Sequence, residues 1–354
     1  MRVEIIIFQQ MLVSSTNSCL DSLYGNRSLN AKSSRFCFIP TNGGIWAWQR
    51  AIYPTPKVFD FELTERGLRK ILLKKGDKSK NIQDYKPPSM FDKKGLPIIA
   101  IPTTAGTGSE VTHHAVIIDS NNSEKISCRG EGFVPIVAIV DYDLTLSKPR
   151  RLTIDSAIDT LTHGIEAYVS KKATLFSDRM ALDTIRLVMK NIYAVDKDPK
   201  DLKAREGLML AATLGGLAFS NASICLVHGM SRPLGSNFKV PHGLSNAMLL
   251  PDITKFSINH AKSRYADCSR AGEFALPEDS DDVACEKLIK GLYKINKDFE
   301  VPSMKDFGIN EKNFEDELKN MATDAENSGA PNLNPRVPSV NEMIDLYRQA
   351  WRTS

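Results

Sequence analysis

Paired cysteines, long apolar runs and blocks of like charge are all missing from this chain, and each absence removes a class of protein. Six cysteines are scattered over 354 residues without a C-x-x-C pair. That usage fits a reduced intracellular compartment better than a disulfide framework. The longest nearly apolar run, 208–219, falls short of the roughly 18 residues a membrane span needs and reads as a buried helix. Net charge is +4, yet Lys and Arg are interspersed with Asp and Glu, which argues against a nucleic-acid surface. There is no low-complexity tract and no internal repeat. What remains is 42% hydrophobic and 25% charged, ordinary for a soluble enzyme and too long for one core, so two domains are expected.

The first 40 residues carry only Glu4 and Asp21 against Arg2, Arg27, Lys32 and Arg35, and are rich in Ser and Asn. They loosely resemble an organelle transit segment; an unstructured N-terminus is the other reading. Residues 1–80 have poor periodicity overall. Asn42-Gly43-Gly44 marks a turn, 53–56 a break, 63–75 a helix and Lys86-Pro87-Pro88 a linker.

From Leu96 onward the pattern sharpens. Residues 96–102 (LPIIAIP), 115–119 (AVIID) and 136–141 (IVAIVD) read as short strands of an α/β layer, whose ligands bind at the carboxyl ends of the strands. After Pro149 apolar residues recur at helical spacing. Ile154, Ile158, Leu161, Ile165 and Tyr168 form one helix, and Ser177-Asp178 should cap a second. Further helices are expected over 202–219, 261–271, 281–296, 311–325 and 340–351. Three segments follow: a divergent 1–80, an α/β remainder over 81–149 and an all-helical 150–354.

Two constellations carry chemistry. Asp159 and His163, four apart on a helix, project from one face beside its apolar stripe; alone they could be an exposed pair or a cap. His228 and His242 stand fourteen apart in an apolar setting, each followed by Gly. Buried imidazoles need partners, and a metal supplies one. Three His and one Asp without thiolate suit Fe(II), with Zn(II) as the alternative. The loop Thr103-Thr104-Ala105-Gly106-Thr107-Gly108-Ser109 follows a strand, exposing hydroxyls and backbone N–H groups suited to a phosphate or ribose, or simply making a tight turn. It is neither a Walker A loop nor G-x-G-x-x-G. His113 and His114, adjacent on a strand, should point to opposite faces and are read as non-ligands.

The stretches 102–112 (PTTAGTGSEVT), 158–170 (IDTLTHGIEAYVS), 220–230 (SNASICLVHGM), 232–251 (RPLGSNFKVPHGLSNAMLLP) and 334–347 (NPRVPSVNEMIDLY) together resemble the iron-containing (group III) alcohol dehydrogenase family, from about Asn81 to the C-terminus. The resemblance implies a Rossmann-like, dinucleotide-binding α/β domain, here incomplete, followed by an all-α metal-binding domain. It implies Fe(2+) or Zn(2+) on Asp159, His163, His228 and His242. It also implies NAD or NADP on Thr103, Thr104, Gly106, Thr107, Gly108 and Ser109, with Lys125 similar to a lysine near the cofactor. The reaction implied is interconversion of a small alcohol and its aldehyde or ketone.

Two departures stand out. Where many members place a second histidine, four residues after the third ligand, this chain has Arg232. Arginine stays protonated, so Arg232 is a candidate catalytic residue that orients a carboxylate or phosphate and cannot be a base. The family's Gly-Gly-Gly-Ser loop is not recognisable, the region reading Phe59-Asp60-Phe61-Glu62-Leu63-Thr64. That leaves a metal-binding relative without cofactor binding or catalysis as the alternative function. No nucleic-acid or membrane partner is expected. A homo-oligomer, in the simplest form a dimer, is implied by the family, and the cytoplasm is the expected location, with the mitochondrion as alternative.

Overall fold

Pro149, with φ at −63°, stands at the last position before helix takes over, where its missing N–H costs nothing. The computed structural model describes residues 98–119 and 124–352, with short backbone pieces at 4–7, 45–46, 82–85 and 89–90. The turn at 42–44, the break at 53–56, the helix over 63–75, the stretch 59–64, the linker 86–88 and the rest of the N-terminal segment lie outside the described residues.

Before Pro149 there are two small sheets. Strands β1 (Glu4–Ile7), β2 (Ile45–Trp46), β3 (Ile98–Ala100) and β6 (Val137–Val140) form one, in the order β1-β6-β3-β2. β3 runs parallel to β6, with Ala100 opposite Ala138, as the two apolar runs led one to expect. The expected strand 115–119 is present as β4 (His114–Asp119), but it is not in that layer. It pairs antiparallel with β5 (Glu124–Arg129), a strand that residues 124–129 (EKISCR) gave no strong sign of.

Nine α-helices follow among the described residues: α1 (Arg150–Val169), α2 (Leu175–Lys197), α3 (Leu202–Asn221), α4 (Leu226–Phe238), α5 (His242–Ser257), α6 (Lys262–Ala271), α7 (Asp281–Asp298), α8 (Glu311–Asn327) and α9 (Val340–Arg352). The start of α2 corrects the sequence reading. Thr174 is its cap and Ser177 sits three residues later, each side chain bonding the other's backbone N–H (3.2 and 2.8 Å). In this reciprocal box either hydroxyl resembles a cap in the sequence, and only one is. No single helix is long and apolar enough to cross a membrane among the described residues.

The core is organised about α1. α2, α3 and α5 pack on it, and from Ala157 to Val169 every residue is buried. Ile154, Ile158, Leu161 and Ile165 supply the apolar part. The loop after β3 is tied to α3 by a buried pair, the Thr213 hydroxyl donating to Glu110 Oε1 at 2.7 Å. Burial pushes the Glu110 carboxyl up from its ordinary 4.5, only partly offset by that bond.

A carboxyl whose folded value is raised contributes stability below its ordinary value and loses it as pH rises through the raised one. Glu110→Gln keeps an acceptor for Thr213 and cannot ionise. The Tm of the variant minus that of the wild type should therefore increase from pH 4.5 upward and then level. A difference that stays flat with pH would show that Glu110 ionises as freely in the fold as outside it.

Candidate metal centre

α1 buries more polarity than an apolar helix should, and each group needs an explanation. Asp155 pairs with Arg151. The Thr160 hydroxyl donates to the carbonyls of Gly106 (3.1 Å) and Ser156 (3.0 Å), and that of Thr162 to Ile158 (2.8 Å). Left over are Asp159, His163 and Glu166, at i, i+4 and i+7 on one face. α4 and α5 meet that face by their first turns, bringing His228 from the third position of α4 and His242 from the first of α5.

The four candidate ligands converge. Asp159 Oδ1 lies 3.7 Å from His163 Nε2, 3.3 Å from His228 Nε2 and 3.7 Å from His242 Nε2. Donors about 2.1 Å from one tetrahedral ion would stand about 3.4 Å apart, so the spacing is that of a ligand shell. Asp159, His163 and His228 are buried with donor atoms all within 4.8 Å of one another. The His242 side chain is 39% exposed and forms the open side. His163 and His228 stack with ring centroids 4.7 Å apart, and Phe219 covers His163 at 4.6 Å.

Electrostatics point the same way. The Glu166 carboxylate sits 2.6 Å from His228 Nδ1 and accepts from the Val227 amide at 2.6 Å. The Nδ1 proton is thereby directed to Glu166, which leaves Nε2 facing the centre of the cluster. Burial lowers the His228 pKa, but Glu166 and Asp159 outweigh it and raise it to about 9. Burial would push Asp159 up, but the imidazoles hold it below the usual carboxylate range. Burial pulls His163 down to about 4 in spite of Asp159. An imidazole flanked by two carboxylates demands positive charge on that axis, and a divalent cation supplies it with neutral histidines. Asn246 Nδ2 donates to Asp159 Oδ1 at 2.7 Å and closes the shell. Glu166 and Asn246 went unnoticed in the sequence, although i+7 from Asp159 and i+4 from His242 were readable signals.

Each ligand histidine is followed by glycine for a steric reason. A Cβ at Gly164 would lie 2.9 Å from Ile185 Cγ1, at Gly229 3.0 Å from Pro331 Cδ, and at Gly243 2.3 Å from the Asp155 carbonyl oxygen. Main chain rests on neighbour at all three.

The loop Thr103–Ser109 leans on the same helix. A Cβ at Gly106 would meet Ser156 Cβ at 2.8 Å, one turn from Asp159, and the Thr107 hydroxyl donates to Ser109 Oγ at 3.1 Å. Within the loop Gly106 thus stands nearest the cluster, whereas Gly108 rests on α3, where a Cβ would lie 2.6 Å from the Ala212 carbonyl oxygen, and Thr104 lines a small cavity with Ser156 and Leu208. Lys125 lies on β5 opposite Ile118, and its side chain is outside the described residues. Arg232, one turn beyond His228, is drawn down to about 10 by burial and by Arg129. His113 and His114 do not point apart as expected: their rings lie 4.1 Å centroid to centroid, because His113 precedes β4 and turns to Ser220 (2.8 Å).

Comparison with known proteins agrees with this geometry. The family described as "Fe-containing alcohol dehydrogenase family, C-terminal" matches residues 153–351, and "Iron-containing alcohol dehydrogenase" matches 70–142. The chain is 34% identical to an NAD-dependent methanol dehydrogenase of Bacillus methanolicus over 76% of its length and 70% of that protein's. It is 35% identical to a 1,3-propanediol dehydrogenase of Citrobacter freundii, over 72% of this chain and 65% of that one. A solved 1,3-propanediol oxidoreductase superposes with a TM-score of 0.74 at 32% identity, covering 79% of this chain and 72% of the other.

Two substitutions probe the support of the site. Glu166→Ala removes the acceptor for His228 Nδ1 and should weaken iron or zinc binding about 10- to 100-fold in a chelator competition. Gly243→Ala forces the start of α5 off Asp155 and should reduce bound metal per chain, measured by elemental analysis, with the helical circular dichroism retained. Full occupancy in both variants would mean that the histidines hold their places without help.

Proposed function

The chain belongs to the iron-containing alcohol dehydrogenase family, and from that membership we propose that it interconverts a small alcohol with its aldehyde or ketone by hydride transfer to and from NAD. The observation that carries the reading is the convergence of Asp159, His163, His228 and His242 beside the Thr103–Ser109 loop. In the proposed assignment those four hold Fe(2+), and the loop holds the phosphates and nicotinamide ribose, with Lys125 nearby. Held there, iron would supply Lewis-acid polarisation of the substrate oxygen, and a bound nicotinamide would supply the hydride chemistry.

The chain's own residues do the rest. Glu166 fixes the His228 tautomer. Phe219 and the buried face of α1 keep water from the inner side of the site, while half-exposed His242 faces the approach. Arg232 keeps its proton at neutral pH even when lowered to about 10, so it orients an anion and does not relay the alcohol proton. The alcohol proton would have to leave by another route, through water or the ribose of a bound nicotinamide. A metal-binding relative without catalysis finds no favouring observation.

The same reading extends to architecture. β3 and β6, parallel and followed by polar loops, support an incomplete Rossmann-like domain over 81–149, preceded by a divergent 1–80 and followed by the helical 150–354. Four cysteines among the described residues are free and buried, which supports a reducing compartment, the cytoplasm. A homo-oligomer, in the simplest case a dimer, rests on the family alone.

The test is direct. Purified protein should carry close to one iron per chain and quench or shift NADH fluorescence on binding. His242→Ala should lose metal and turnover together. Activity surviving in a metal-free His242→Ala protein would falsify the assignment. Tighter binding of NADPH, or zinc as the bound metal, would amend the cofactor without touching the reaction.

A further inference from the structure

Among the described residues the buried charges are largely matched, and one partly buried cationic group is not. His114 opens β4 and Arg129 closes β5, and the two stand opposite each other in the antiparallel ladder. β5 packs against α4, bringing Arg129 within electrostatic reach of Arg232. Among the described residues, Arg129 Nε and His114 Nδ1 are buried with no hydrogen-bond partner. Among the described residues no carboxylate acts on Arg129, whose charge is opposed by burial. For Arg232 the carboxylate in reach is Glu166, whose oxygens are already taken by His228 and the Val227 amide. Neither imidazole adds a counter-charge. Burial, His113, Arg129 and Arg232 drive His114 to about 2, and burial and Arg129 lower His113, so both are neutral and His114 Nδ1 is left without a partner.

Two partly buried guanidinium groups that repel one another gain from an anion placed between them. Their position says where it comes from. The His114 ring is 6.2 Å from that of Phe219, which lies 4.6 Å from His163, so the cationic group is one aromatic side chain away from the histidine cluster. The proposed cofactor loop sits instead against Ser156 and Thr160 on α1.

We propose that Arg129 and Arg232, with His114 beside them, form an oxyanion-binding subsite for the far end of the substrate, whose alcohol or aldehyde therefore carries a carboxylate or similar group. This rests on the dehydrogenase reading. The planar guanidinium fork matches a carboxylate in two-point contact, and the apolar ring of Phe219 lines the distance between the reacting carbon and the anion.

Butanal and 4-oxobutanoate have the same chain length and differ in one carboxylate. The iron-loaded enzyme should reduce 4-oxobutanoate with the higher kcat/KM. The ratio of the two kcat/KM values, read within each variant, should fall about 10- to 100-fold in Arg129→Met and in Arg232→Met, the range of a lost charge-assisted bond. Arg129→Lys and Arg232→Lys should restore part of it. Calorimetric titration with butanedioate reads the subsite without turnover: the wild type should bind and the Met variants should not. Equal use of the two aldehydes by the wild type, or an unchanged ratio in both Met variants, would overturn the proposal. A loss of NADH affinity with the ratio intact would also overturn it, by assigning the arginines to a cofactor phosphate. If neither aldehyde turns over, the dehydrogenase reading fails, and butanedioate binding alone decides the subsite.

Discussion

A carboxylate shut inside a helical core with three imidazoles around it is the constraint on which the rest of this structure depends. Burying Asp159 alone would cost several kcal/mol. It is tolerable because His163 stands one turn away, His228 and His242 arrive from two other helices, and Asn246 donates to the same oxygen. That requirement explains why α1 is enclosed on all sides, why α4 is aimed at it by its first turn, and why α5, which packs along α1, opens on the ligand His242. It also explains Glu166, whose carboxylate would be an extravagance in a core unless an imidazole had to be held in one tautomer.

Both halves of the site hang on α1. Asp159 and His163 face the cluster, while Ser156 and Thr160, on adjoining positions of the same two turns, receive the Gly106 loop. A single rigid element therefore sets the distance between the two. On the far side Glu110 and Thr213 tie the end of that loop to α3, so the loop is gripped between two helices.

Legibility in the sequence followed the range of the interaction. Asp159 and His163 could be read because i,i+4 spacing is local, and the helices because apolar periodicity is local too. His228 and His242 were legible as residue types in an apolar setting, and the resemblance to known motifs joined them to the first pair. The α2 cap was misplaced by three residues because Thr174 and Ser177 are chemically equivalent there, and only backbone geometry separates them. β4 was recognised but assigned to the wrong sheet: its partner β5 alternates polar and apolar residues and carries little apolar signal. Arg129 could not have been connected with Arg232, since that proximity exists only once β5 is paired in register and laid on α4. His113 and His114 were expected to diverge because both were placed on a strand, whereas the strand begins at the second.

The three histidine–glycine pairs have a consequence for how the protein meets its metal. Because backbone touches Ile185, Pro331 and the Asp155 carbonyl where side chains would otherwise intervene, the positions of the ligands are set by hard contact in the apolar framework and not by the ion they surround. The cost of assembling the site is met when the chain folds. Divalent ions of similar size would then compete for a ligand set already in place on supply and intrinsic affinity, as the Irving–Williams order ranks them. Which metal the protein carries then becomes a property of the medium in which it folds as much as of its sequence.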